Sequence, residues 1–135
     1  MGKIVLHGQQ FVPDAARSEQ WNRGAYLANG PAHCAECHSL RNALGGIIET
    51  ERFAGGPDPE GGKGTVPNIT QAGIGDYSEA DIARILETGD LPDGDTAGGA
   101  MSKVVSNTSR LPDKERAAIA AYIKSLPPVE GRNRK

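Results

Sequence analysis

Apolar residues recur at helical spacing in three stretches of the chain and lose that rhythm between them. From about Ser18 to Asn29, the side chains of Trp21, Ala25 and Ala28 fall on one face, and Gly30-Pro31 stops the pattern, which predicts an amphipathic helix. A second begins at Ser78, where Ser78 and Asp81 fit a capping box. Ile82, Ile85 and Leu86 form its apolar stripe, and Gly89 stands at the expected C-cap. A third starts near Pro112, placed at a first helical position. It turns Ile119, Tyr122, Ile123 and Leu126 inward and ends at Pro127-Pro128. Between them run Leu40 to Val66, with seven glycines and no helical period, and the shorter Asp90 to Ala100. Loops this long in a compact domain are functional or wrapped on something. No strand alternation, internal repeat or low-complexity tract stands out. Residues 1–16 and 129–135 read as linker or tail around one domain spanning 17–128.

Composition sharpens this picture. The 135 residues suit a single domain, yet Leu, Ile, Val and Phe together number only 25 and aromatics make up 4%. A net charge of -2 is too small to keep such a chain open by self-repulsion. A loop-rich chain this short of core has room for a large, flat, apolar cofactor. Two cysteines cannot build a disulfide scaffold. No run approaches the roughly 18 apolar residues of a membrane span. The opening MGKIVLHGQQFVPD has one short apolar run and no small-residue cleavage site, so it does not read as a signal peptide. Acids crowd Asp76 to Asp95, and bases prevail from Lys103 onward. These tracts read as solvated faces, or else as a dipole that orients a docking partner. A pI near 5.9, without bases interleaved with aromatics, argues against nucleic acid as a partner.

The candidate chemistry sits in Cys34-Ala35-Glu36-Cys37-His38, a C-x-x-C-H sequence of the kind that attaches haem. On a turn of helix, positions i and i+3 share a face, so both thiols reach one edge of a porphyrin and the following histidine turns toward its iron. The motif thus predicts a fourth, short helix, one covalently bound haem c held by Cys34 and Cys37, and His38 as an axial ligand. A thioredoxin-like pair requires a βαβ setting, which the pattern lacks. A structural zinc site requires four ligands, and only His7 and His33 remain. Apart from Met1, the chain has a single methionine, Met101, preceded by Gly98-Gly99-Ala100. A lone methionine is often core filler. This one follows a flexible loop and is able to approach from the face opposite His38, which makes it the candidate sixth ligand, with His33 and His7 as fallbacks. His/Met ligation closes the iron to substrates and suits an electron carrier.

Several further segments carry a family resemblance: Trp21 to Leu27, Arg41-Asn42, Phe53-Ala54-Gly55-Gly56, Pro67-Asn68-Ile69-Thr70, Gly73-Ile74-Gly75, Ser78 to Ile82, Gly98 to Met101 and Leu111 to Pro127. With the cysteine motif, they resemble bacterial class I-type cytochrome c domains. The likeness is greatest to the haem domains of cytochrome subunits of membrane-bound alcohol and gluconate dehydrogenases and of two-haem cytochromes c. The resemblance implies a mainly α, cytochrome c-like fold of about four to five helices with long loops wrapped around one haem. It implies that the Pro67 carbonyl accepts the Nδ1 proton of His38 and that Asn68 and Ile69 lie along the haem. It further implies that Gly24, with Ala25 or Leu27, crosses Ile119 and Tyr122 where the first and last helices meet. Leu40 stands where relatives often carry proline, and Tyr77 where tryptophan is common, so a tyrosine hydroxyl is the candidate partner of a haem propionate. Arg41 either pairs with a propionate or is exposed.

The resulting expectation is one-electron transfer in the bacterial periplasm. The donor would be a dehydrogenase, and the acceptor another cytochrome, a quinone-linked subunit or an oxidase. Missing export signals imply a processed chain or one half of a longer protein with a second haem domain. The alternatives are a peroxidase-like haem enzyme and a gas sensor. Both require an open sixth site, and no distal His and Arg pair is evident.

Overall fold

The computed structural model describes all residues except 1–3, 7–8, 40–41, 58–64, 100 and 131–135. Four helices lie where the sequence patterns place them. Helix α1 spans Glu19–Asn29, and the Ser18 side chain caps it by accepting from the Trp21 amide. Helix α2 is the single turn Cys34–Cys37. Helix α4, Glu79–Thr88, opens on the complete Ser78/Asp81 capping box and closes on Gly89 in the left-handed region, at φ 84°. Helix α6 covers Asp113–Lys124. Two details differ from expectation. Pro112 precedes α6 as its N-cap, with ψ 152°, rather than filling the first helical position. Ile85 is only half-buried, because α4 turns Ile82 and Leu86 fully inward and leaves Ile85 on the margin.

Two helices escape the sequence patterns. Helix α3, Gln71–Ile74, is capped by the Thr70 hydroxyl. Helix α5, Met101–Thr108, has the sequence MSKVVSNT, whose β-branched and small polar residues are indifferent helix formers. Two short antiparallel ladders are also present where no strand was expected. Strand β1 (Ile4–Leu6) pairs with β2 (Gln9–Phe11), and β3 (Gly56–Pro57) pairs with β4 (Thr65–Val66). Pairs this short leave no readable alternation. The stretch after α4 is likewise ordered by its own backbone. Leu91 N–H donates to the Asp95 carbonyl at 2.8 Å, and Ala97 N–H to Gly89 at 2.7 Å.

The core forms where α6 packs across α1 and α4. A Cβ on Gly24 would lie 1.9 Å from the Ala118 carbonyl oxygen and 2.8 Å from Tyr122 Cβ, so only glycine permits this approach of α1 to α6. Ala25, Leu27, Ala28, Ile82, Leu86, Ile119, Ala120, Tyr122 and Ile123 fill the crossing. Trp21 meets Tyr122 edge-on at 5.1 Å and donates its indole N–H to Ser125 Oγ at 2.7 Å. The core is thin for the chain length: its largest fully buried side chains are Phe53, Ile119 and Thr70. No helix among the described residues is long and apolar enough to cross a membrane.

Candidate haem-binding site

The site grows from the turn after α1. Gly30 stops that helix, and His33 takes a left-handed backbone (φ 61°) that lets the chain start α2 at once. Cys34 and Cys37 then occupy the two ends of one helical turn and do not pair with each other. Burial pushes the Cys34 thiol up to about 12; a backbone hydrogen bond offsets part of this and neighbouring Cys37 adds a little.

His38 follows immediately, is buried, and is held at both ends. Its carbonyl accepts from Gly55 N–H at 2.7 Å. Its ring Nδ1 lies 2.8 Å from the Pro67 carbonyl oxygen. A carbonyl only accepts, so the proton is on Nδ1 and the lone pair is on Nε2. Burial lowers the His38 pKa, and the bond to Pro67 offsets part of this. The ring is therefore the neutral imidazole that binds metals, with Nε2 as its donor atom.

Gly55 brings the His38 and Pro67 segments together. Its φ of +84° belongs to the left-handed region, and a Cβ there would lie 2.5 Å from the Val66 carbonyl oxygen and 2.9 Å from the Pro67 carbonyl carbon. The β3–β4 pair begins at the next residue, with Gly56 opposite Val66. Phe53, fully buried at φ 67°, is locked by its own amide donating to Ser39 Oγ at 2.9 Å and its carbonyl accepting from Ile69 N–H at 2.9 Å. The segment from Phe53 to Gly55 thus ties the His38 loop to the Pro67 loop.

Other candidate residues arrive from separate parts of the chain. Cys34, Ile69, Tyr77 and Met101 all pack against the same core cluster while staying partly exposed. Asn68 has its polar atoms committed: its amide donates to the Val129 carbonyl at 2.7 Å, and its oxygen accepts from the Thr70 amide and hydroxyl at 2.8 and 2.6 Å. His33 is exposed. Leu40, Arg41 and Ala100 fall outside the described residues, as does His7. Among the described residues, no three of His, Cys, Asp and Glu gather as a metal-binding group.

This donor set fits a haem of the c type. Two thiols share one turn, one neutral imidazole has its outer nitrogen fixed by a carbonyl, and half-exposed apolar side chains border a core that lacks bulk. Residues 21–127 match the family model for cytochrome c. The chain belongs to the cytochrome c family. Its function is electron transfer through a c-type haem. Relatives include a "Diheme cytochrome c-type" protein of Cereibacter sphaeroides, 48% identical over 95% of this chain and 43% of the relative. The fructose dehydrogenase cytochrome subunit of Gluconobacter japonicus is 35% identical over 90% of the chain and 25% of the subunit. The cytochrome c subunit of the quinone-dependent alcohol dehydrogenase of Gluconacetobacter polyoxogenes is 34% identical over 90% of the chain and 27% of that subunit. The chain therefore spans less than half the length of these relatives.

Within this cytochrome c, the family resemblance singled out Phe53 to Gly56 and Pro67 to Thr70 as segments but not the bonds that join them. Ser39, whose hydroxyl accepts from the Phe53 amide, carries no local signature. Buried Arg116 also passed unnoticed, because a charge at that position of a helix ordinarily reads as surface.

Proposed function

We propose that this chain binds one haem through thioether links to Cys34 and Cys37, with His38 and Met101 as axial ligands, and that it works as a closed-site electron carrier. The observation that carries the reading is His38 itself. It follows the two thiols directly, is neutral and buried, and its Nδ1 is committed to Pro67, so Nε2 is presented as the ligand. A bound haem supplies a one-electron ferric/ferrous couple. The chain's own residues do the rest. Cys34 and Cys37 fix position on a rigid turn. The Pro67 carbonyl orients the imidazole and strengthens it as a donor. Met101 closes the sixth position, and Ile69 and Tyr77 supply apolar contact, with the Tyr77 hydroxyl available to a propionate. Asn68 holds the rim by tying the Pro67–Thr70 loop to Val129.

The domain-level reading is 17–128 as the haem unit, operating in the bacterial periplasm. The names of the relatives favour a dehydrogenase donor, a respiratory acceptor and a second haem domain in the parent protein. The enzyme and gas-sensor readings both need an open sixth site, which a bound Met101 denies them.

The test is a visible and near-infrared spectrum of the exported, matured protein. Haem that survives denaturation establishes the thioether links, and Cys34→Ser or Cys37→Ser should weaken attachment. The ferric protein should show the weak methionine-to-iron band, and Met101→Ala should abolish it. A high-spin protein that binds carbon monoxide readily would overturn the closed-site reading.

A further inference from the structure

Arg116 is a charged side chain that the fold has taken inside, with 5% of its surface exposed. It does not reach the cysteine motif. It closes the C-terminus of α5, the helix that begins at Met101. Nη1 donates to the carbonyls of Thr108 and Ser109, both at 3.1 Å, and to that of Leu111. Nη2 bonds the Asp113 carboxylate and lies 4.0 Å from Glu87. The last carbonyls of a helix have no partner within it, and a cation there opposes the negative end of the helix dipole. Beside it the Thr108 hydroxyl, also buried, donates to the Leu86 carbonyl of α4. Buried polar bonds thus fasten α5 at its Thr108 end to both α4 and α6.

Among the described residues, the hydrogen bonds at the other end are local: Met101 N–H to Gly98 at 3.2 Å, Ser102 N–H to Gly99 at 3.1 Å and Ser102 Oγ to the Gly99 carbonyl at 2.8 Å. A Cβ placed on Gly98 or Gly99 would meet nothing within 4 Å. Met101 adds partial packing against the core. The direction of α5 is therefore set from its far end. Seven residues at 1.5 Å rise make a lever of about 10 Å, so a swing of about 5° at Thr108 displaces Met101 by about 1 Å. Helix packing tolerates such a movement, but a coordinate bond does not.

We propose that Arg116 is a positioning residue that holds α5 so that the Met101 thioether stays on the iron. The proposal rests on the reading of Met101 as axial ligand. The measurements are an imidazole titration of the ferric matured protein, the intensity of the methionine-to-iron band, and thermal unfolding in parallel. Arg116→Met keeps the stem and removes every donor. It should raise imidazole affinity about tenfold and weaken the band well below the unfolding temperature, with Arg116→Lys intermediate. Ser125→Ala, which cuts the Trp21 bond at the other end of α6, should lower the Tm and leave imidazole affinity unchanged. If Arg116→Met lowers the Tm yet keeps wild-type imidazole affinity and band while Met101→Ala alters both, the role is structural only and the proposal fails. If the wild type lacks the band and Met101→Ala changes nothing, the ligand assignment fails and the proposal falls with it. Should Arg116→Met not fold, Arg116→Lys decides by the same comparison.

Discussion

Replacing Gly24 by alanine sets two effects of opposite sign against each other. Alanine is the better helix former by about 1 kcal/mol, so local propensity alone predicts a more stable α1. The structure predicts the reverse. The new Cβ would stand 1.9 Å from the Ala118 carbonyl oxygen and 2.6 Å from its carbon, where 3.0 Å is about the least that real contacts show. Helices α1 and α6 must part by about 1 Å, and a gap of that size forfeits a quarter to a half of each dispersion contact along the crossing. Because the obstacle is backbone, no rotamer change relieves it, and the cost belongs near the top of the overpacking range, about 3 kcal/mol. The net loss is about 2 kcal/mol, or a Tm lower by about 6–10 °C for a domain of this size. Thermal unfolding of the matured protein, followed by far-ultraviolet circular dichroism, measures it. Shortening Ala118 to glycine should not rescue the variant, since the carbonyl remains. An unchanged or higher Tm for Gly24→Ala would refute the close-approach argument.

Three further outcomes follow from the site and its frame. Gly55→Ala places a Cβ 2.5 Å from the Val66 carbonyl oxygen at a backbone φ of +84°, so the Pro67 loop must shift away from His38. Losing that hydrogen bond makes the imidazole a poorer donor to ferric iron, so voltammetry should show a higher reduction potential; an unchanged potential with lower stability would leave Gly55 only a packing role. Arg23 grips Glu115 through a 2.6 Å and a 2.9 Å bond, and this hydrogen bonding holds the Glu115 carboxyl below its ordinary range. A depressed carboxylate stabilises the fold fully above its unfolded pKa and loses that contribution as pH falls through the folded value. Glu115→Gln should thus cost less than about 1 kcal/mol at neutral pH, as suits a pair whose Arg23 partner is half-exposed, and the difference from wild type should vanish in acid; a pH-independent difference would exclude the ion pair as its cause. Thr108→Val removes the hydroxyl bonded to the Leu86 carbonyl and should cost about 1–3 kcal/mol, because that buried acceptor loses its donor; chemical denaturation measures it, and a neutral result would show the bond to be dispensable.

Features decided within one helical turn are already explicit in the sequence. The Ser78 cap, the Gly89 stop, the stripe of α6 and the paired thiols with their histidine each depend on residues a few positions apart. The family resemblance adds the pairing of His38 with Pro67, 29 residues away, which no periodicity reveals. Tertiary structure decides the remainder. Helix α5 has weak intrinsic propensity and is closed by Arg116 and Thr108, which donate there to backbone carbonyls that any residue would offer. Gly55 lies in a segment that the family resemblance marks, but that the Val66–Pro67 backbone packs over its missing Cβ is decided only by the fold. Local patterns report which face of an element is apolar. Which carbonyl lies against which donor across the fold is set only when the elements pack.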